Sequence, residues 1–145
     1  MIRVLDTNVV AEMMSPSPNP SVVAFLDGLA EPPCLTVVTV AEVLLRIAVL
    51  PKGKRRNRLE EAADLLIEAL GRQRILPVDE LVAREFASVV SFRRANGRPI
   101  SQFDALIAGI CRVHGAELVT RNVRDFELTG LGVINPWTDG PARPE

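Results

Sequence analysis

The chain has 145 residues, a length that suits one domain with a core of its own. Hydrophobic residues make up 48% of it, charged residues 24%, and the formal net charge is −1. These values are typical of a globular protein and not of a disordered chain. They exclude a strong overall attraction to nucleic acid, so any such contact has to come from a local basic patch.

No segment of the sequence is interpreted as a signal peptide or a membrane span. The N-terminal apolar run is too short and becomes charged too soon for a signal peptide. The longest apolar stretch, residues 35–50, is interrupted by Glu42 and Arg46, which makes it too short and too charged to span a bilayer. Cys34 and Cys111 lie in apolar runs, which favours two buried thiols over a disulfide. We therefore expect a cytoplasmic protein without membrane contact.

Short β-prone runs alternate with helical patterns along the whole chain. The predicted strands are residues 2–5, 34–38, 74–78, 117–120 and 133–134. The predicted helices are residues 7–14, 20–28, 40–50, 55–70, 79–95 and 101–114, with a short helix or turn at 122–128. This alternation predicts an α/β fold in which helices flank a central parallel sheet. We expect one domain over residues 1–137 and a flexible C-terminal tail over residues 138–145.

Acidic residues follow the ends of the predicted strands. Asp6 comes directly after the first strand, and Glu42 lies four residues beyond the second. Asn122 and Asp125 follow the fourth strand, and Asp104 lies in the first turn of the helix at 101–114. The carboxyl ends of parallel strands form one edge of a sheet, and ligands bind in the crevice at that edge. We therefore expect these side chains to converge there.

Each acid also fits a purely structural alternative, that of a helix cap. Thr39 and Glu42 have the spacing of a capping box, Ser101 and Asp104 come close to it, and Asp6 can serve as an N-cap. The apolar surroundings of Glu42 and Asp104 favour a functional role, because a carboxylate in a buried segment needs a partner. A divalent cation would relieve the repulsion between clustered carboxylates, and oxygen ligands favour Mg²⁺ or Mn²⁺ over zinc.

Other catalytic arrangements find little support in the sequence. The one histidine, His114, lies at a predicted helix C-terminus, where interaction with the helix dipole or plain exposure explains it. No Ser-His-Asp or Cys-His arrangement and no glycine-rich phosphate loop is indicated. Hydrolysis would then use a metal-activated water. A phosphatase or phosphotransferase with Asp6 as nucleophile is a minor alternative, because Asn8 stands where a second aspartate would be needed.

At these positions the chain resembles the PIN-domain family, and within it the VapC-type toxins of bacterial toxin–antitoxin pairs. The matching segments are Val4–Val9, Thr39–Val43, Phe103–Ala108, Leu118–Phe126 and Ile134–Trp137. The resemblance extends from Ile2 to about Trp137, and the order and spacing of the segments make it specific. It implies a PIN-like, doubly wound α/β sandwich.

The resemblance also implies a function. It implies a Mg²⁺- or Mn²⁺-dependent endoribonuclease, the toxin of a type II pair, that forms a homodimer and binds a cognate VapB-type antitoxin. Asp6, Glu42 and Asp104 would be its metal-binding catalytic carboxylates. Many relatives carry aspartate where this chain has Asn122, so Asn122 and Asp125 are both candidates for the fourth catalytic position. This departure leaves open a catalytically weak module that binds RNA or an antitoxin.

Polar and basic residues near the predicted site are candidates for contact with RNA. They are Thr7, Asn8, Thr120, Arg121, Arg124, Lys54 and Arg55. The segment at residues 52–58 holds five cations and no acid, which suits phosphate contact, although a solvated basic turn is an equal alternative. Aromatic residues make up only 4% of the chain, so base stacking is not expected to dominate recognition.

Overall fold

The structure, a computed structural model, describes residues 1–140. Most of the tail predicted at 138–145 lies outside the described residues, and the extent of the domain stays a prediction. Within them, residues 135–139 form a turn. The Asn135 amide donates to the Asp139 carboxylate at 2.8 Å, and the Asp139 amide donates to the Asn135 carbonyl at 2.9 Å.

Strands and helices alternate over the described residues. The strands are β1 Arg3–Leu5, β2 Leu35–Thr36, β3 Ile75–Leu76, β4 Glu117–Val119 and β5 Val133–Ile134. The helices are α1 Thr7–Met13, α2 Pro20–Asp27, α3 Val37–Ala48, α4 Lys54–Leu70, α5 Glu80–Ala95 and α6 Gln102–His114. Short 3₁₀ turns occupy Arg72–Arg74 and Val123–Phe126. The predicted α/β class is therefore confirmed.

All the strand pairs are parallel. β1, β4 and β5 form one sheet in that order, and β2 pairs with β3. A parallel bridge between Val4 and Cys34 joins the two, so the spatial order is β3-β2-β1-β4-β5. In this doubly wound order, successive strands are added to one side of β1 and then, from β4 onward, to its other side. The crevice at that point, beyond the carboxyl ends of the strands, is where such sheets place their ligands.

Two hydrophobic clusters cover the two faces of the sheet. Neighbouring residues of a strand point to opposite faces, and accordingly Val4 belongs to one cluster and Leu5 to the other. The cluster around Val4 includes residues of α5 and α6, whereas the cluster around Leu5 includes residues of α1 to α4. Helices therefore flank the sheet on both sides, as the resemblance implied.

The packing of α6 against α5 depends on Gly109. A Cβ atom at this position would lie 3.2 Å from the Phe86 nitrogen and from the Val82 carbonyl oxygen, both of them backbone atoms. Cys111 and Cys34 are both buried, and neither forms a disulfide. The interpretation of both as buried thiols is confirmed. Burial raises the pKa of Cys111 to about 12, so the thiol is protonated at neutral pH.

The second strand is shorter than predicted, because a helix cap ends it. The Thr36 hydroxyl accepts a hydrogen bond from the Thr39 amide at 3.0 Å, so α3 begins at Val37. The prediction of a strand over 34–38 and a helix from residue 40 was wrong there. β-branched residues favour a strand, but in this segment the cap and the packing of α3 decide the local structure. No helix within residues 1–140 is long and apolar enough to cross a membrane.

Candidate active site

Asp6 lies at the carboxyl end of β1 and is also the N-cap of α1. Its Oδ1 accepts from the Thr7 amide at 2.8 Å. Its Oδ2 accepts from the Thr120 hydroxyl at 2.7 Å and from the Asn8 amide group at 3.2 Å. The side chain is only 4% exposed. Burial raises the pKa of Asp6, the three hydrogen bonds oppose this rise, and the charge of Asp125 adds to it.

Glu42 lies in the second turn of α3, because the helix is capped by Thr36. Thr39 is therefore not the N-cap, and the capping-box alternative for Glu42 was wrong. The Thr7 hydroxyl donates to Glu42 Oε1 at 3.0 Å and lies 3.3 Å from the Thr39 hydroxyl. Thr7 follows Asp6 directly, so this contact brings Glu42 to the end of β1, and the half-buried carboxylate faces the same crevice.

Asp104 is the third residue of α6, where Ser101 is the N-cap. The Asp104 amide donates to the Ser101 hydroxyl oxygen at 3.2 Å. Burial raises the pKa of Asp104 from 3.8 to about 6, and the negative charge of Asp6 adds to the effect. Asp125 and Glu42 raise this pKa further through their charges, while a hydrogen bond with Ser101 opposes it. The acids predicted from distant parts of the sequence are therefore within electrostatic reach of one another.

The donor set fits a hard, hydrated cation. Across residues 1–140, no three His, Cys, Asp or Glu side chains are arranged to hold one ion together. Mg²⁺ commonly binds through one or two carboxylates and keeps several waters. Asp6 and Asp104 can supply two such carboxylates, and a cation between them would relieve the repulsion that raises the pKa of Asp104. Direct coordination by all three predicted ligands stays a prediction.

Asn122 and Asp125 lie at the rim of the crevice. The Asn122 amide nitrogen donates to the Thr120 hydroxyl oxygen at 3.0 Å, and its side chain is exposed. Asp125 is also exposed, in the following 3₁₀ turn, and its charge raises the pKa of both Asp6 and Asp104. Asp125 therefore contributes charge to the crevice, while the choice between Asn122 and Asp125 for the fourth catalytic position stays a prediction. Thr120 connects the rim to the buried part of the site, since its hydroxyl also bonds Asp6 and Asn8.

The basic candidates occupy two separate places. Arg121 is next to the acids: its amide donates to the Asn8 side-chain oxygen at 3.1 Å, and its guanidinium lies 4.9 Å from the centre of the Trp137 ring. Arg124 is exposed in the 3₁₀ turn. Lys54 and Arg55 begin α4, and within residues 1–140 neither forms a hydrogen bond or an ion pair with the acids. Arg55 instead lines a groove between α1, α3 and α4.

One residue of the site was missed in the sequence. Thr39 was interpreted as a helix N-cap, but it is buried inside α3 and its hydroxyl contacts Thr7 beside Glu42. Residues three apart in a helix share a face, so the spacing of Thr39 and Glu42 was a usable signal. This signal could be used only once it was known that α3 begins at Val37, before Thr39.

A doubly wound parallel sheet with an acidic crevice at its switch point defines an α/β domain with a carboxylate site. The sequence matches the PIN domain family over residues 3–130, and the chain belongs to this family. It is 40% identical over 136 residues to Toxin FitB of Neisseria gonorrhoeae, covering 93% of this chain and 98% of that protein. It is 37% identical over 139 residues to VapC ribonuclease Y4jK of Sinorhizobium fredii, covering 92% and 96%. The crystal structure of FitAcB from Neisseria gonorrhoeae superimposes with a TM-score of 0.87 at 39% identity, covering 94% of this chain and 99% of that chain.

The raised pKa of Asp104 predicts a pH-dependent gain in stability from Asp104→Asn in the metal-free protein. Because the folded-state pKa of about 6 exceeds the ordinary 3.8, stability is lost as the pH rises through 6 and the half-buried carboxyl ionises. Asparagine removes this loss. We expect Asp104→Asn to raise the free energy of unfolding by roughly 1 kcal/mol at pH 7.5, after allowance for solvent screening, and to have almost no effect near pH 4.

Urea denaturation in EDTA at the two pH values measures this difference. Asp64→Asn, which removes an exposed carboxylate on α4, is the matched control. An equal effect of Asp104→Asn at both pH values would contradict the burial of its charge.

Proposed function

We propose that this protein is a Mg²⁺- or Mn²⁺-dependent endoribonuclease that hydrolyses RNA phosphodiesters and acts as the toxin of a type II toxin–antitoxin pair. The observation that carries the proposal is the pair of carboxylates formed by buried Asp6 and half-buried Asp104, whose like charges repel each other at the switch point of a PIN domain. Similarity to a toxin and to a ribonuclease supports the biological role.

The residues of the crevice divide the work of hydrolysis. Asp6 and Asp104 would hold the cation, which offsets negative charge and polarises the phosphate when it is bound. The hydroxyl of Thr7 donates a hydrogen bond to Glu42, and that of Thr120 donates one to Asp6, and these bonds fix the directions of the two carboxylates. Glu42, at the edge of the crevice, would accept a proton from the attacking water. Asp125, with Asn122 beside it, adds negative charge at the rim, which strengthens attraction for a cation.

Removal of one site carboxylate should abolish cleavage while the fold persists. We expect Asp6→Asn, Asp104→Asn and Glu42→Gln each to lower the rate of Mn²⁺-dependent RNA cleavage by roughly 100-fold or more, the order of magnitude for loss of a group that acts on the reacting atoms. Excess EDTA should stop the wild-type reaction. The measurement is the mapping of cut ends in a mixed RNA pool, with Asp64→Asn as the control.

The alternative of a catalytically weak module that binds RNA or an antitoxin has a specific basis. Asn122 carries no charge, and the described residues contain no set of three acidic, histidine or cysteine side chains arranged around one ion. Under this alternative the wild type would bind its partner but leave RNA intact in Mn²⁺. Metal-dependent nicking that disappears in Glu42→Gln would eliminate it.

Arg121 is the strongest candidate for contact with an RNA phosphate. The indole of Trp137 supports its guanidinium through a cation–π contact, and Asn8 holds its main chain beside Asp6. Both contacts leave the fork of the guanidinium available for a phosphate oxygen. Arg124 and the rim residues lie close to it along the chain.

Replacement of Arg121 should weaken RNA binding more than it slows the chemical step. We expect Arg121→Ala to raise KM roughly 10-fold, the loss of one charge-assisted contact of about 1.4 kcal/mol, and to change kcat by less than about threefold. The dependence of RNA affinity on salt should also become shallower, because one phosphate contact is lost. Arg72→Ala, which removes an exposed arginine remote in sequence from the rim, is the control. An unchanged KM would assign Arg121 to structure alone.

The partners are proposed to be an antitoxin and a second copy of this chain, in the cytoplasm. The groove between α1, α3 and α4 has a volume of about 440 Å³ and an apolar floor that includes Met14, Ile47 and Leu59. Three arginines also line it: Arg46, Arg55 and Arg58. Apolar and basic groups in one groove suit an acidic amphipathic segment of a VapB-type antitoxin. Exposed apolar side chains in and just after α3, among them Leu44, Leu45 and Val49, suit contact with the second copy.

Charge reversal in the groove should separate antitoxin binding from the other properties. In the double variant Arg46→Glu, Arg58→Glu, we expect the Kd for the co-expressed antitoxin to rise by at least about tenfold. The reason is that the new negative charges would face the acidic segment of the antitoxin. Its RNA cleavage and its homodimer should persist. Light scattering during size exclusion measures both assemblies, and the wild type alone should have twice the mass of one chain. Retention of the complex by the double variant would place the antitoxin elsewhere.

A further inference from the structure

A buried arginine side chain lies close to the acidic site. Arg93, in the last turn of α5, is only 4% exposed. Its guanidinium donates to the main-chain carbonyls of Arg98 at 2.6 Å, Asp125 at 3.0 Å and Pro99 at 3.4 Å, and to that of Glu127. A charge this deeply buried is unfavourable unless its donors are paired. Four carbonyl dipoles therefore stabilise it, and in return it holds their segments in place.

The four acceptors belong to two segments that lead to the site. Arg98 and Pro99 lie in the loop between α5 and α6. This loop ends at Ser101, the N-cap of α6, and so determines the position of the first turn, which carries Asp104. Asp125 and Glu127 lie in and just after the 3₁₀ turn at Val123–Phe126. One side chain thus connects the segment that carries Asp104 with the segment that carries Asp125.

The shape of the guanidinium makes this connection rigid. Nε and Nη2 of Arg93 donate to the α5–α6 loop, whereas Nη1 donates to the 3₁₀ turn. Because the group is planar, the separation of its donors is fixed, and so is the separation of the two segments. A lysine ammonium is a compact point charge on a flexible stem and cannot hold both segments at these positions.

A second contact between the same segments lies outside and is weaker. Nη2 of Arg98 reaches the Glu127 carboxylate at 2.9 Å and the Arg124 carbonyl at 3.5 Å, but both side chains are exposed. An exposed ion pair contributes little to stability. Arg93 is therefore the main connection between the loop and the turn.

We propose that Arg93 is a positioning residue for the acidic site, which holds Asp104 and Asp125 at the separation that cation binding and RNA cleavage require. The inference rests on the proposed function for its catalytic consequence, but the clamp itself does not. Arg93 has no role in the reaction as an acid, a base or a ligand, since its donors all point to main-chain oxygens. Its loss should therefore act through geometry.

The test compares Arg93→Gln and Arg93→Lys with two controls. Arg94→Gln removes the exposed arginine next along α5, and Val22→Ala removes volume from the hydrophobic cluster on the other face of the sheet, which lowers Tm without touching the clamp. Isothermal titration with Mn²⁺ and steady-state RNA cleavage are measured on each. We expect both Arg93 variants to weaken Mn²⁺ binding and to lower kcat by roughly 10-fold or more, with KM for RNA within about twofold of the wild type.

Arg94→Gln should resemble the wild type, and Val22→Ala should keep its Mn²⁺ affinity and kcat despite a lower Tm. Arg93 variants that behave like Val22→Ala, with lower Tm alone, would overturn the proposal. If Arg93→Gln fails to fold, Arg93→Lys decides by the same criteria, because it keeps the charge and most of the stem.

Hydrogen exchange separates this inference from the proposed function. If the clamp exists, amides in residues 98–104 and 123–127 should exchange roughly 10-fold faster in Arg93→Lys, while those of α1 and α3 should not change. Unchanged exchange in the two segments would refute the clamp. If exchange in the two segments is faster in Arg93→Lys, but the wild type binds Mn²⁺ without cleaving RNA, the clamp is supported and the ribonuclease activity is contradicted.

Discussion

The whole site depends on a negative charge buried between two parallel strands. Asp6 ends β1 and accepts hydrogen bonds from its own helix and from Thr120, the residue that follows β4. All three groups that donate hydrogen bonds to Asp6 are neutral. They fix the orientation of its carboxylate but do not neutralise its charge. A carboxylate in this state repels any second acid and attracts any cation that can reach it. The other features of the crevice follow from that imbalance.

The hydroxyls and amides around the acids act as a rigid frame. Thr7 joins α1 to Glu42 on α3, and Thr120 joins β4 to Asp6 and to the amide of Asn122. A lysine or arginine in the same places would neutralise the acids and remove the need for a metal. The Thr and Asn side chains instead hold the carboxylates in fixed directions and leave their charge available. Such pre-organisation is what a site for a hydrated cation requires.

The two arginines nearest the site do not pair with its carboxylates. Arg121 lies over Trp137 at the rim, where it can meet a phosphate, and Arg93 lies behind the site with its charge turned to main-chain carbonyls. Both arginines are held through contacts that do not involve a site carboxylate. The crevice therefore stays acidic even though cationic side chains surround it.

Much of this arrangement was present in the amino-acid sequence itself. Hydrophobic period and turn residues located the strands and helices to within a few positions, and their alternation determined the parallel α/β class. The strand-end positions of Asp6 and Asn122, and the position of Asp104 in the first turn of α6, followed from local patterns as well. These features depend on neighbouring residues, which a sequence displays directly.

Only the tertiary structure decided how the acids are related in space. Thr36 rather than Thr39 caps α3, and this moved Glu42 into the second turn and excluded a capping role for it. The strand order β3-β2-β1-β4-β5 brought Asp6 beside Thr120, 114 residues further along the chain. Arg93 has acceptors both in the adjacent α5–α6 loop and in the 3₁₀ turn 32 residues further along the chain, and only the folded chain brings the two together. The contacts of Asp6 with Thr120 and of Arg93 with Asp125 arise from the packing of segments remote in sequence, and no local pattern encodes them. The Thr36 cap joins residues only three apart, but the packing of α3 decided that the helix begins there.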